Sequence, residues 1–175
     1  MKTRSILLIS VLLVLVLASL ACGLGSTGTV TTLEQWAASG TASSEYGTSD
    51  WTAQQATGAP DTTTCGDQTT AWASANSDTV EWLSLSYATP VYATKVVIYI
   101  TYNPSYVTLV ELQEPNGTYH TVYTATPQTM ACPYQLTISI PKTSYLVKSV
   151  RVTVDQTTLN SWSEIDAVQL VGTDK

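Results

Sequence analysis

The sequence predicts an all-β domain, a sandwich or barrel of seven or eight short strands. Apolar and polar residues alternate with period two along run after run, Gly, Pro and Asn punctuate the gaps, and no segment beyond the N-terminal apolar stretch sustains a helical period. Alternation sends successive side chains to opposite faces, so each run reads as a strand with one face on a core and one face in water.

The N-terminus comes first and stands apart. Lys2 and Arg4 precede an uncharged apolar run over residues 5–21, the layout of an export signal. The run closes on Leu20-Ala21-Cys22, which predicts cleavage before Cys22 and lipidation of that cysteine, with Ser19 in place of the preferred leucine. An uncleaved membrane anchor and soluble secretion are the alternatives. The expected product is an exported lipoprotein, at the cell surface or in the periplasm, tied to the membrane through Cys22. Residues 22–40, small and polar, read as a flexible tether with a short helical turn over residues 33–38.

The domain itself is expected over residues 41–172. Residues 41–46, TASSEY, open it as an extended segment, and residues 56–74, ATGAPDTTTCGDQTTAWAS, form a turn-rich loop. In the run 81–87, EWLSLSY, the residues Leu83, Leu85 and Tyr87 share a face, and Thr89-Pro90 ends it. Val96, Ile98 and Ile100 share a face in 95–100, and Asn103-Pro104 turns the chain. Residues 107–124 read as a hairpin around Pro115-Asn116-Gly117. Leu136, Ile138 and Ile140, then Val150, Val152 and Val154, define two more strands, and residues 164–172 the last. Trp72, Trp82 and Tyr87, in or beside strands, are assigned to the core.

Cysteine use agrees with export. With Cys22 assigned to lipid, Cys65 and Cys132 are an even pair in a compartment where disulfides persist, and they are predicted to be bridged. Charge removes one class of partner: 7 basic residues stand against 13 acidic, and the basic ones do not cluster, so nucleic acid is excluded.

An enzyme is not expected either. The single histidine, His120, lies on a strand without a partner signature, and no nucleophile elbow is present. Glu164 and Asp166 share a strand face by spacing, a pattern that fits a metal ligand or a solvated face as well as acid–base chemistry. The aromatic residues carry more. With 5 Trp, 10 Tyr and no Phe, the chain favours rings that offer a flat apolar face and a polar handle. Tyr46, Trp51, Tyr102, Tyr106 and Trp162 fall near expected loops, where sugar-binding surfaces place stacking rings, and Asn103 and Asn160 are natural polar partners. In Gly66-Asp67-Gln68-Thr69-Thr70, Asp67 and Thr70 either cap a turn or offer oxygens to a cation.

Residues 56–74, KVVIYITYNP at 95–104 and SWSEIDAVQLVG at 161–172 together resemble galactose-binding-like domains, the discoidin, coagulation-factor C-type and carbohydrate-binding-module group. The resemblance covers residues 41–172 and implies a jelly-roll β-sandwich of about eight antiparallel strands. It also implies a structural calcium ion held by Asp67, Thr70 and Glu164, with Trp72 behind the loop. Cys65-Gly66 stands where the group carries Asp-Gly, so one acidic position is lost. The function it implies is a non-catalytic surface module for carbohydrate or another surface ligand; the alternative is a structural or protein-interaction domain.

Overall fold

The computed structural model describes residues 29–128, 130–158 and 160–175. The expected export signal over residues 1–21 and the lipidation at Cys22 lie outside them. Among the described residues no helix is long and apolar enough to cross a membrane.

Eight strands follow one another: β1 Thr32–Trp36, β2 Ser39–Ala42, β3 Val80–Tyr102, β4 Val107–Gln113, β5 Tyr119–Thr124, β6 Tyr134–Ser139, β7 Leu146–Asp155 and β8 Glu164–Thr173. All pairings are antiparallel. The long β3 organises them. Its first part, near Ser84, pairs with β2 and β7, and its second part, near Ile98, pairs with β6 and β8. A register shift between Ser86 and Val91 separates the two parts. Pro90, lacking an amide hydrogen, falls inside that shift, where the ladder asks least of it. The strand thus passes from one layer to the other, and β4 and β5 extend the first layer beyond β7 while β1 edges the second beside β8.

Packing confirms two layers around one core. Leu83, Leu85 and Tyr87 from the first part of β3 share a buried cluster with Val96, Ile98 and Ile100 from the second, with Val150, Val152 and Val154 of β7 and with Val168 and Leu170 of β8. Those of β3 and β7 are the residues that the alternation placed on one face. The fold is therefore an all-β sandwich of eight antiparallel strands, as the sequence predicted.

Three expectations are corrected. The domain begins at β1, not at residue 41: Leu33 pairs with Gly172 and Trp36 with Gln169, so residues 32–40 are edge strands and neither tether nor helical turn. The small residues of β2 are imposed by packing, since a Cβ on Gly40 would stand 2.5 Å from the Ala53 carbonyl oxygen. Trp82 is not core; it points outward with 36% of its surface exposed, on the same face as Ser84 and Ser86. Tyr106, expected on a binding loop, is in a short 3-10 turn over Pro104–Tyr106 and is buried.

The predicted disulfide is present between Cys65 and Cys132. It joins the 56–74 loop to the turn before β6, beside a hydrogen bond from the Gly66 amide to the Thr101 carbonyl.

Candidate functional site

The turn-rich loop ends on a short extended piece, Trp72-Ala73-Ser74, that docks against the start of β8. Trp72 and Ile165 exchange both backbone hydrogen bonds, at 2.9 and 3.1 Å. The Trp72 ring is fully buried, and its indole nitrogen donates to the Ser44 carbonyl at 3.1 Å. From this fixed piece the remaining contacts fan out. The Tyr46 amide donates to the Ala73 carbonyl, the Ala73 amide donates to the Trp51 carbonyl, and the Trp162 indole donates to the Ser74 carbonyl at 3.0 Å. Three aromatic residues, two from the connection after β2 and one from the turn before β8, are thus tied to two consecutive residues.

Those rings line a cleft of about 280 Å³, counting its open mouth, formed by Tyr46, Trp51, Tyr102 and Trp162 with Asp67, Glu164 and Ala73. Tyr46 meets Trp51 edge to face at 5.3 Å between centroids and meets Trp162 likewise at 5.6 Å, geometry favoured by ring quadrupoles. The Trp51 indole donates to Asp67 Oδ1 at 3.0 Å, so both tryptophan nitrogens are engaged within the protein and their rings are held before any ligand arrives. Trp51 sits at φ 53°, a strained position for a bulky residue, tolerated because its backbone bonds to Thr69 and Ala73 over-determine it.

Of the seven residues assigned to ligand binding from sequence, the structure brings four to the cleft. Asn103 supports it from behind, donating to Ser161 Oγ at 2.9 Å and to the Trp162 carbonyl at 2.7 Å. Asn160 is exposed outside the lining, and Tyr106 is buried. Sequence reasoning missed Gln156, which is fully buried and donates to Ser74 Oγ and the Asn76 carbonyl while accepting the Ser163 amide. It clamps the strand end to the loop that carries Trp162. Only its place at the end of a run, just after Asp155, hinted at anything.

The three residues assigned to calcium are divided. Asp67 and Glu164 meet at the cleft floor within hydrogen-bond reach of each other, and Glu164 Oε2 accepts the Gln68 amide at 2.8 Å. Thr70 turns away, its hydroxyl pairing with that of Thr62. There the Thr62 amide donates to Asp166 Oδ2 at 3.4 Å, Asp61 stands beside Asp166, and Asp166 Oδ1 is buried without a partner. Among the described residues no three His, Cys, Asp or Glu side chains gather around one point. Asp67, Thr70 and Glu164 therefore do not form a single coordination sphere, whereas Asp61, Thr62, Thr70 and Asp166 place four oxygen-bearing side chains together.

Burial pushes the Glu164 carboxyl up to about 8, against the pull of the Gln68 amide, and Asp67 adds to the rise; burial and Asp61 push Asp166 up to about 6. Both groups hold protons in the folded chain that they lose in the unfolded one, so their stabilising contribution is complete below about pH 4 and is lost as pH rises through about 6 and then about 8. Urea unfolding in chelator is expected to give a lower midpoint at pH 8.5 than at pH 5, and Glu164→Gln is expected to flatten the upper part of that decline; equal midpoints for the parent chain would contradict this.

No curated protein sequence matches the chain. Solved structures do resemble it. The chitosan-binding module 1 derived from a chitosanase/glucanase of Paenibacillus sp. IK-5 is 22% identical, with a TM-score of 0.56 over 76% of this chain and 93% of the module. The family 32 carbohydrate-binding module of C. perfringens NanJ, solved with galactose, is 17% identical, with a TM-score of 0.55 over 79% of this chain and 99% of that one. The family 32 module of AlyQ, solved with 4,5-unsaturated mannuronic acid, is 17% identical, with a TM-score of 0.57 over 78% and 96%. At these identities they establish the galactose-binding-like fold. The family model described as the C-terminal SD scarf domain of pappalysin-1 matches residues 26–175, nearly the whole described chain, and the protein belongs to that family.

Proposed function

We propose that this protein is a non-catalytic carbohydrate-binding module. The observation that carries the proposal is the cleft of Tyr46, Trp51, Tyr102 and Trp162, whose two indoles are fixed by internal hydrogen bonds and whose floor is polar. Fixed rings bind a sugar's apolar face at little cost in side-chain freedom, and a few polar groups then set its orientation. Solved structures of the same fold have been obtained with galactose and with an unsaturated uronic acid, which supports the class of ligand. His120 plays no part in this cleft; it bonds Glu114 Oε1 at 2.7 Å and stacks on Tyr145.

A glycan array probed with the full chain tests the reading, and silence toward every sugar would sink it. For a sugar that binds, Trp162→Ala is expected to weaken affinity by about 2 kcal/mol, roughly 30-fold, as for a central aromatic anchor. Calorimetry on the variant reads this directly, and an unchanged Kd would place the sugar elsewhere.

A structural calcium ion also belongs to the proposal, moved to the oxygens of Asp61, Thr62, Thr70 and Asp166. The buried, unpartnered Asp166 Oδ1 supports that position, since calcium prefers oxygen donors and neutralises paired carboxylates. Excess calcium is expected to raise the melting temperature and Asp166→Asn to abolish the rise; a curve indifferent to calcium and chelator would remove the ion.

The setting proposed is the cell surface or the periplasm, with the chain anchored to a membrane through lipid at Cys22. Metabolic labelling with a fatty-acid probe that is lost in Cys22→Ser would support it, and labelling that survives would exclude that residue as acceptor.

A further inference from the structure

We infer that the aromatic cleft selects a cationic sugar, one carrying a free amino group protonated to an ammonium, over its neutral and anionic counterparts. This rests on the carbohydrate-binding reading and narrows it. Four features of the cleft point the same way.

First, its only charged lining residues are Asp67 and Glu164; no Lys, Arg or His lines it. A uronic acid entering there meets like charge, and a neutral sugar brings no counter-charge to this acidic floor. Second, Glu164 is 2% exposed and lies within hydrogen-bond reach of Asp67. Two carboxylates so close cannot both carry charge comfortably unless a cation stands beside them. An ammonium group between them brings that cation and its hydrogen-bond donors, and lets Glu164 give up the proton it otherwise holds beside Asp67.

Third, the walls are aromatic. Tyr46, Trp51, Tyr102 and Trp162 surround the acidic floor, and a cation over the face of a tryptophan or tyrosine is attracted by the ring quadrupole, more so as water is excluded. Carbohydrate C–H groups use the same faces, so one cleft serves both halves of an amino sugar. Fourth, the walls argue against a bare metal ion as the occupant. Calcium needs six to eight oxygens, whereas this floor supplies two carboxylates, one of them already accepting the Gln68 amide and the other the Trp51 indole. Rings cannot complete such a shell, but they suit a large, weakly hydrated organic cation. The cleft is open at its mouth, so an amino group can reach the floor while the rest of a sugar chain stays outside.

The test is calorimetry on the full chain near pH 6.5 with four probes: a glucosamine oligomer, the matching N-acetylglucosamine oligomer, a neutral hexose oligomer and choline, with calcium as a competitor. The glucosamine oligomer is expected to bind at least tenfold more tightly than its acetylated form, in which each ammonium is replaced by a neutral acetamide. Asp67→Asn, at an exposed position where folding is not at stake, is expected to bring that ratio close to one while still accepting the Trp51 indole; Glu164→Gln is expected to act in the same direction. Equal affinity for the charged and acetylated oligomers would overturn the inference and leave the carbohydrate reading standing. Binding of choline with no sugar bound would support the cation site and overturn the carbohydrate reading. Binding of calcium alone, weakened by Asp67→Asn, or of no probe at all, would overturn the inference.

Discussion

Trp72→Ala is expected to destabilise the domain by about 3–5 kcal/mol, the range for removing a fully buried large aromatic, and to abolish the cleft along with it. The ring is completely enclosed, its indole satisfies the Ser44 carbonyl, and truncation leaves both a cavity and a partly buried acceptor without its donor. The functional consequence follows from chain connectivity. Tyr46, Trp51 and Trp162 are each bonded to Ala73 or Ser74, and that pair is positioned only because Trp72 is pinned to Ile165 and to the core. Chemical denaturation would show the loss as a lower midpoint with an unchanged slope, and ligand binding would fall even at temperatures where the variant is folded. A variant that bound sugar normally would show that the rings are held independently of this residue. Trp72→Phe separates the two effects: it refills most of the cavity but leaves the Ser44 carbonyl unpaired, so its cost should be clearly smaller.

The part of this arrangement legible in the sequence is the part set by period two. Leu83, Leu85, Val96, Ile98, Val150, Val152 and Val154 lie where alternation placed them, because a half-buried strand has no other way to bury its apolar set. The same rule, applied strictly, would have placed Trp82 correctly: it alternates with Leu83 and shares the face of Ser84 and Ser86, and its size alone suggested the core. β1 and β2 escaped because edge strands need little apolar content and because Ser39, Gly40 and Thr41 have the composition of a linker. The close approach of Gly40 to the Ala53 carbonyl, which demands a residue without a side chain, is a tertiary fact with no local trace. The apparent break at Thr89-Pro90 is real as a register shift, yet β3 continues through it, so turn chemistry there marks a crossing between layers and not the end of a strand.

The site divides in a similar way. Residue type pointed to Tyr46, Trp51, Tyr102 and Trp162, since loop aromatics with a flat apolar face and a polar handle suit a binding surface, and all four converge. Residue type failed for Tyr106, whose neighbours Asn103 and Pro104 look like a loop but form a tight turn that folds the ring inward. Spacing on β8 correctly put Glu164 and Asp166 on one face, but could not show that the 56–74 loop sends Asp67 to the first and Asp61 to the second. That choice depends on how the loop crosses the strand, which is fixed by the Trp72–Ile165 bridge and by the disulfide at Cys65.

Removing that disulfide is the other change with a large expected effect. Cys65 and Cys132 are 67 residues apart, and closing a loop of this length restricts the unfolded chain by about 4 kcal/mol in the chain-entropy account. For a domain of this size each kcal/mol corresponds to about 2–4 °C, so Cys65→Ser with Cys132→Ser is expected to lower the melting temperature by about 8–16 °C. The same shift should follow reduction of the parent chain, and a reductant should leave the double variant unchanged. A fall of only a degree or two in the variant would mean that the unfolded chain is already compact near this loop, or that the bridge is absent in solution; thiol titration under denaturing conditions separates these. The native-state consequence is different from the thermodynamic one. The core strands do not depend on the bridge, but Gly66 and Asp67 directly follow Cys65, and the Asp67 carboxylate both fixes the Trp51 indole and completes the acidic floor with Glu164. Freed at one end, this turn orders less well, and the cost falls on the cleft. The reduced protein should therefore keep its far-ultraviolet circular dichroism at 25 °C while its affinity for ligand declines, an outcome that a purely stabilising crosslink, remote from the site, would not produce.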